Sequence, residues 1–270
     1  MQKLKVLLAK HNPKHRIVCG VNVVAAALES GNEEARSAAT CVHSLVYARA
    51  GSNPRVQKLI DCARQRGIEV KQLEPSELTR LCATDRHQGI AAYTEPVEHK
   101  TLAQVLRDNP PARRFFLLLD SVTDPHNFGA LIRSAAAAGC QAVIYTKDRS
   151  CQVTPVVEKA AAGTIGAITM CQVTNLARTI EALKAEGVWV YGLALDDAAS
   201  IYATDLSGDL ALVAGSEGRG LRPGVLQVCD AALQIPMPGK VESLNVSVAT
   251  GIALFEVVRQ RREAEKKIQA

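Results

Sequence analysis

Residues 115–119 read Phe-Phe-Leu-Leu-Leu, a strand-length run with no polar member. Similar runs recur at 142–146, 167–173, 188–195 and 210–214. Helical patterns separate several of them, at 130–138, 155–162 and 176–186, the last with Asn175 as cap and Gly187 as stop. A half-exposed strand alternates apolar and polar residues, whereas these runs are apolar along most of their length, Thr169 and Gln172 being the interior exceptions. That is the pattern of a parallel sheet covered on both faces. In such a sheet ligands sit beyond the carboxyl ends of the strands, so the loops that follow the runs are where chemistry is expected.

The first third of the chain is a smaller α/β unit. It predicts a helix over 19–29 closed by Gly31, a strand at 42–49, a helix at 55–66 and a strand at 68–73. A helix over 75–82 with Pro75 in its first position and a strand at 88–94 complete the set. The stretch 95–111 is polar and bounded by prolines, with one short helix around 102–107, and marks a boundary. The expected division is 1–96 for the first domain, 97–113 for a linker and 114–270 for the second domain.

With 270 residues and 47% hydrophobic content the chain can bury two cores. Net charge is only +5, but it is uneven. Lys3, Lys5, Lys10, Lys14 and Arg16 lie in a stretch without acids, and Arg259, Arg261, Arg262, Lys266 and Lys267 crowd the far end. Basic ends suit a polyanion such as RNA; the plainer reading is two solvated tails. Aromatic content of 4% argues against a stacking platform for unpaired bases. The eight cysteines, at 19, 41, 62, 82, 140, 151, 171 and 229, show no Cys-x-x-Cys and no zinc spacing. The charged start predicts no signal peptide, and no apolar run approaches membrane-spanning length. A protein of the reducing cytoplasm, with no metal and no membrane partner, is expected.

Three loops stand out. The first, 120–133, holds a Pro-x-Asn-x-Gly turn with Asn127, then Arg133 in the first turns of an alanine-rich helix. An arginine there is either a rim residue with a buried stem or a fixed cation aimed at an anion. The second, Gly-Ser-Glu-Gly-Arg-Gly over 215–220, has the wrong glycine order for a dinucleotide fingerprint. Glu217 at its centre repels a pyrophosphate but tolerates a neutral or cationic ligand. No phosphate-loop motif of the Gly-x-x-x-x-Gly-Lys-Ser/Thr type occurs. In the third, Pro236, Pro238 and Gly239 end the apolar run 233–237. A buried helix then starts after Ser243, expected as its N-cap, with Val246, Ala249, Ile252, Ala253 and Val257 at helical spacing.

Together the order Asn127…Arg133, Gly215-x-Glu217-Gly-x-Gly-Leu221, then Ile235-Pro-Met…Ser243-Leu-Asn245 resembles the SpoU (TrmH-type) family of RNA 2′-O-ribose methyltransferases. His87-Gln88-Gly89-Ile90 and the stretch 20–28 resemble the small RNA-binding domain of the branch that acts on guanosine in bacterial large-subunit rRNA. Two departures are visible: Cys19-Gly20-Val21-Asn22 where Tyr-Gly-Ile-His is common, and Phe128 where Leu is common.

The resemblance implies a SPOUT-type parallel sheet with a C-terminal trefoil knot, preceded by a domain similar to ribosomal protein L30e. It implies S-adenosylmethionine as methyl donor, held by the backbone at Leu195, Gly215, Ile235 and Leu244, and no metal. It places Arg133 at the ribose hydroxyl with Asn127, Glu217, Ser243 and Asn245 around it. It also implies a homodimer through the knotted domain and 23S-type rRNA as partner. The same chemistry on tRNA, or an RNA-binding assembly protein without catalysis, are the competing readings.

Overall fold

A computed structural model describes residues 15–29, 42–48, 53–195 and 198–269. The stretch 1–14, Gly31 and Arg49 lie outside them, and with them most of the expected basic leader. The chain forms two compact units, one of residues 1–98 with 152–167, the other of 99–151 with 168–270.

The first unit is a four-stranded mixed sheet. Its strands are β1 (Arg16–Cys19), β2 (Val42–Ala48), β3 (Glu69–Leu73) and β4 (Ile90–Thr94), in the order β1-β4-β2-β3. Pairing is antiparallel for β1–β4 and β2–β4 and parallel for β2–β3. Helices α1 (Val21–Glu29), α2 (Pro54–Gln65) and α3 (Pro75–Cys82) pack against it. The expected leader therefore ends in a strand at Arg16, and the helix expected from Cys19 begins at Val21. The break falls at Gly20, whose φ is +98°. Gln88 and Gly89, expected in a strand, form a tight turn with φ of +54° and +79°. That turn lets Gln88 Oε1 accept from the Val21 backbone N–H at 2.9 Å, satisfying the first turn of α1. His87 Nδ1 accepts from Gly89 N at 3.0 Å, and His87 Nε2 lies 3.0 Å from Thr79 Oγ1. The motif that carried the resemblance here is thus a folding device.

Residues 152–167 add helix α6 (Pro155–Ala160) to this unit, beside β1. Arg16 Nη1 and Glu158 Oε1 meet at 2.7 Å, with the two side chains 11% and 1% exposed. Burial pushes the Glu158 carboxyl up to about 7, against the pull of Arg16.

The second unit is an eight-stranded sheet in which every pairing is parallel. Strands β5 (His99–Lys100), β6 (Phe115–Leu119), β7 (Ala142–Thr146), β8 (Thr169–Val173), β9 (Trp189–Leu193), β10 (Ala199–Ser200), β11 (Leu210–Ala214) and β12 (Ala231–Gln234) take the order β10-β12-β9-β11-β6-β7-β8-β5. The stretch expected as a linker supplies the edge strand β5 and helix α4 (Leu102–Asp108), whose Thr101 and Gln104 form a capping box. Short elements such as β10 and helix α8 (Pro223–Leu226) lacked a periodic signal in the sequence.

Both sheet faces are covered, as the unbroken apolar runs require. Phe116, Leu118, Ile144 and Val213 point to α4, α7 (Leu176–Ala185) and α8, where Leu176, Ile180, Leu183 and Val225 complete one core. On the other face lie α5 (Pro125–Ala137) and α9 (Val246–Gln269), which pack on each other. Phe128 of α5 meets Tyr145 of β7 edge-on at 5.1 Å. Each fully buried Leu or Phe contributes about 1.5–3 kcal/mol, and a Phe116→Ala cavity costs about 3–5 kcal/mol.

Two members of the C-terminal basic cluster are engaged within the chain. Arg259 pairs with Glu256 and Glu263, and the Arg261 guanidinium lies 5.0 Å over the Phe115 ring while donating to Gly208 O and Arg114 O. These two are structural, and Arg262, Lys266 and Lys267 stay exposed.

Candidate functional site

Two helix N-termini and one loop meet at the carboxyl end of the large sheet. Helix α5 begins at Pro125, earlier than the expected 130, because Asp124 Oδ1 caps it by accepting from Asn127 N at 2.7 Å. Asn127 therefore stands in a first helical turn rather than in a free turn. Helix α9 is capped by Asn245, not by Ser243: Asn245 Oδ1 accepts from Ser247 N at 2.9 Å and from Ser247 Oγ at 2.6 Å. Ser243 is too far from the first helical turn for that role, since the helix begins directly after Asn245.

This capping fixes every amide in the cluster. Because Asn245 Oδ1 takes backbone and hydroxyl protons, its Nδ2 must face the other way. It donates to Asn127 Oδ1 at 3.0 Å and to Glu217 Oε1 at 3.1 Å. With its oxygen so occupied, Asn127 presents Nδ2 to Glu217 Oε2 at 2.8 Å. Both oxygens of Glu217 are thus held by amides, one from each helix start, where the positive ends of the helix dipoles favour an anion. The carboxylate keeps its outer lone pairs and is exposed.

Glu217 is presented by a loop that only glycine permits. A Cβ on Gly215 would lie 2.1 Å from Gly220 C and 2.4 Å from Leu221 N. The loop closes on itself through Ser216 N to Gly220 O and Gly220 N to Ser216 O, both 3.0 Å. Its far end is tied down by a pair outside the glycine motif. Asp120, fully buried at the end of β6, accepts from Arg222 Nε at 2.7 Å and Arg222 N at 2.9 Å. The sequence signal was a carboxylate directly ending an all-apolar strand, where an unpaired charge is costly.

The expected cofactor residues follow neighbouring strand ends. Val213 is in register with Gly192, and Leu233 with Leu193. Leu195, Gly215 and Ile235 therefore all lie just past the carboxyl ends of three adjacent strands, β9, β11 and β12. Leu195 and Leu244 are 53% and 36% exposed, unusual openness for large apolar side chains. Exposed leucines, loop backbone and a fixed carboxylate suit a ligand with a flat aromatic heterocycle and a positive charge, as S-adenosylmethionine has.

The remaining two residues are not bonded into the cluster. Ser243 is exposed and makes no hydrogen bond among the described residues. Arg133 lies six positions after Asn127, in the third turn of α5 rather than the first. At 100° per residue it points about 120° away from Asn127 and about 9 Å further along the axis. It shares the exposed stripe of α5 with His126 and Ala137, and its guanidinium has no partner among the described residues.

Fold and site together define a parallel α/β protein built to lodge a ligand beyond its strand ends. The SpoU rRNA Methylase family model matches residues 114–255, and a model for RNA 2′-O ribose methyltransferase substrate binding matches 17–100. The chain is 44% identical to the 23S rRNA (guanosine-2′-O-)-methyltransferase RlmB of Xanthomonas campestris over 247 residues, 90% of this chain and 96% of that protein. With the protein of the same description from Coxiella burnetii it shares 42% over 252 residues, 92% and 97% of the two chains. Among solved structures, an AdoMet-bound rRNA methyltransferase from Sinorhizobium meliloti superposes with a TM-score of 0.72 at 27% identity, covering 91% of this chain and 87% of that one. The chain belongs to the SpoU rRNA methylase family.

Proposed function

We propose that this protein transfers a methyl group from S-adenosylmethionine to the ribose 2′-hydroxyl of a guanosine in 23S-type rRNA. The observation that carries this reading is the Asn127–Glu217–Asn245 cluster, set between two helix starts at the sheet end where Leu195 and Leu244 lie open. The named relatives carry the same activity in their descriptions.

S-adenosylmethionine, when bound, supplies a methyl group made electrophilic by the sulfonium it leaves. Backbone at Leu195, Gly215, Ile235 and Leu244 holds its adenine and ribose. Glu217, fixed by the two asparagines, offers a carboxylate to the positive end. Asn127, Ser243 and Asn245 line the approach of the RNA sugar. The 2′-hydroxyl is a weak nucleophile and sheds its proton as it attacks. Arg133 offers five N–H donors and no acceptor, so it is unsuited to take that proton. It therefore acts as a fixed cation at the developing alkoxide, and a neighbouring RNA phosphate oxygen takes the proton. Most of the acceleration comes from alignment.

In this reading the RNA-binding role falls to 1–96 and the catalytic residues come from 114–270, whose C-terminal segment is threaded as a trefoil knot. Two copies pair through the knotted domain. Val248 and Phe255, 50% and 51% exposed on one stripe of α9, support this pairing. The enzyme works in the cytoplasm, where its rRNA substrate is made. No helix among the described residues is long and apolar enough to cross a membrane.

The test is transfer from methyl-labelled S-adenosylmethionine to purified large-subunit RNA and, separately, to tRNA. Label confined to a ribose of large-subunit RNA supports the reading. Label on tRNA alone moves the substrate, and no transfer to any RNA sinks it.

A further inference from the structure

The first unit holds a second cluster, remote in sequence from the Asn127–Glu217–Asn245 site. His15 precedes β1, His43 lies in β2 and Glu95 follows β4. Strand β4 runs between the other two, so the three side chains come from three adjacent strands at one end of the sheet. In the antiparallel ladder Arg16 is opposite Thr94, which sets His15 opposite Glu95 one step further out.

On the other flank Val42 pairs with Thr94 but Ser44 pairs with Tyr93, so His43 is the extra residue of a bulge. Bulges re-aim a side chain at the cost of ladder hydrogen bonds. Here the re-aimed imidazole stacks on that of His15, with centroids 4.3 Å apart and planes 18° from parallel. Its Nε2 lies 2.8 Å from Glu95 Oε1. One ligand atom from each of the three residues falls within 4.8 Å of the others.

We propose that His15, His43 and Glu95 bind a divalent first-row transition metal ion, zinc above all. Two neutral imidazoles and one carboxylate are the donor set of open metal sites, in which a water takes the fourth position. Zinc bonds of about 2.0–2.1 Å put tetrahedral donors about 3.4 Å apart. Donors already within 4.8 Å reach that spacing by side-chain rotation. The cation nearest in sequence does not compete. Arg16 neighbours His15 in a strand and so projects to the opposite face, where it pairs with Glu158 and Thr94. Both histidines are half-buried and Glu95 is exposed, which leaves an entry path from solvent. Local spacing in the sequence gave no hint of this site, because its ligands are brought together by strand order and a bulge alone. The ion takes no part in methyl transfer; it clamps β1 to β2 across β4.

Calorimetric titration of the full chain with zinc chloride tests this. One site per chain is expected. His15→Ala, His43→Gln and Glu95→Gln should each weaken it by more than about 100-fold, beyond the 10–100-fold that outer-shell changes cost. Zinc should raise the melting temperature of the wild type and not of these variants. Cobalt(II) substitution should show nitrogen and oxygen ligation without thiolate charge transfer. Zinc binding that survives in the His15→Ala/His43→Gln double variant, a thiolate signature with cobalt, or no zinc binding by the wild type each overturn the proposal.

Discussion

At the scale of single residues, Asn245 does two jobs with one amide. Its oxygen caps α9 and its nitrogen bridges Asn127 and Glu217. Asn245→Ala should therefore lower stability by about 1–2 kcal/mol, the worth of a lost cap and a freed buried amide, and also release Glu217. Denaturant unfolding measures the first effect. Arg133 has no structural partner to lose among the described residues. Arg133→Ala should leave the unfolding midpoint and S-adenosylmethionine affinity nearly unchanged while methyl transfer falls by at least about 10²–10³-fold, the cost of a lost transition-state contact. Equal losses in binding and rate would reject its assigned role. Asn127, Glu217 and Asn245 were legible as candidates because polar residues followed apolar runs. The capping by Asn245 and the place of Asn127 in a first helical turn were not, since Ser243 was the expected cap and Asp124 starts α5 well before the alanine-rich stretch that signals a helix.

At the scale of elements, the glycine loop is rigid because both its ends are fixed, one by the close approach at Gly215 and one by Asp120 to Arg222. Asp120→Asn removes the charge that holds Arg222 and should weaken S-adenosylmethionine binding more than Arg133→Ala does, as read by calorimetry. Helix α6 carries the opposite electrostatic case. The Glu158 carboxyl titrates near about 7 when folded and at 4.5 in the open chain. The folded state thus holds the extra proton between those values, and stability falls as pH rises through that window. The difference of about 2.5 units corresponds to about 3 kcal/mol. The wild type should lose roughly that much between pH 4.5 and 8 relative to Glu158→Gln; parallel pH profiles for the two would contradict it. Strands 115–119, 142–146 and 210–214 were legible to the residue, because burial on both faces leaves an unbroken apolar signature. Strands β5 and β10 were not: each has two residues and is held by its neighbour rather than by its own composition. The grouping of 152–167 with the first unit was equally hidden, since it rests on the packing of α6 beside β1, two elements far apart in sequence.

At the scale of the whole molecule, the exposed apolar stripe of α9 needs a cover, and a second copy of the chain is the proposed one. If the chain pairs as proposed, Phe255→Glu should yield monomers in sedimentation velocity and leave each fold intact; an unchanged sedimentation coefficient would place the interface elsewhere. The central claim is that the Asn127–Glu217–Asn245 cluster serves methylation of a ribose oxygen. Ribose methylation blocks alkaline cleavage of the adjoining linkage, so the product can be read directly. Large-subunit RNA incubated with the protein and S-adenosylmethionine should gain one alkali-resistant linkage at a guanosine, and Glu217→Gln or Asn245→Ala should diminish it. Methyl label recovered on a base, with every linkage still cleaved by alkali, would contradict the account.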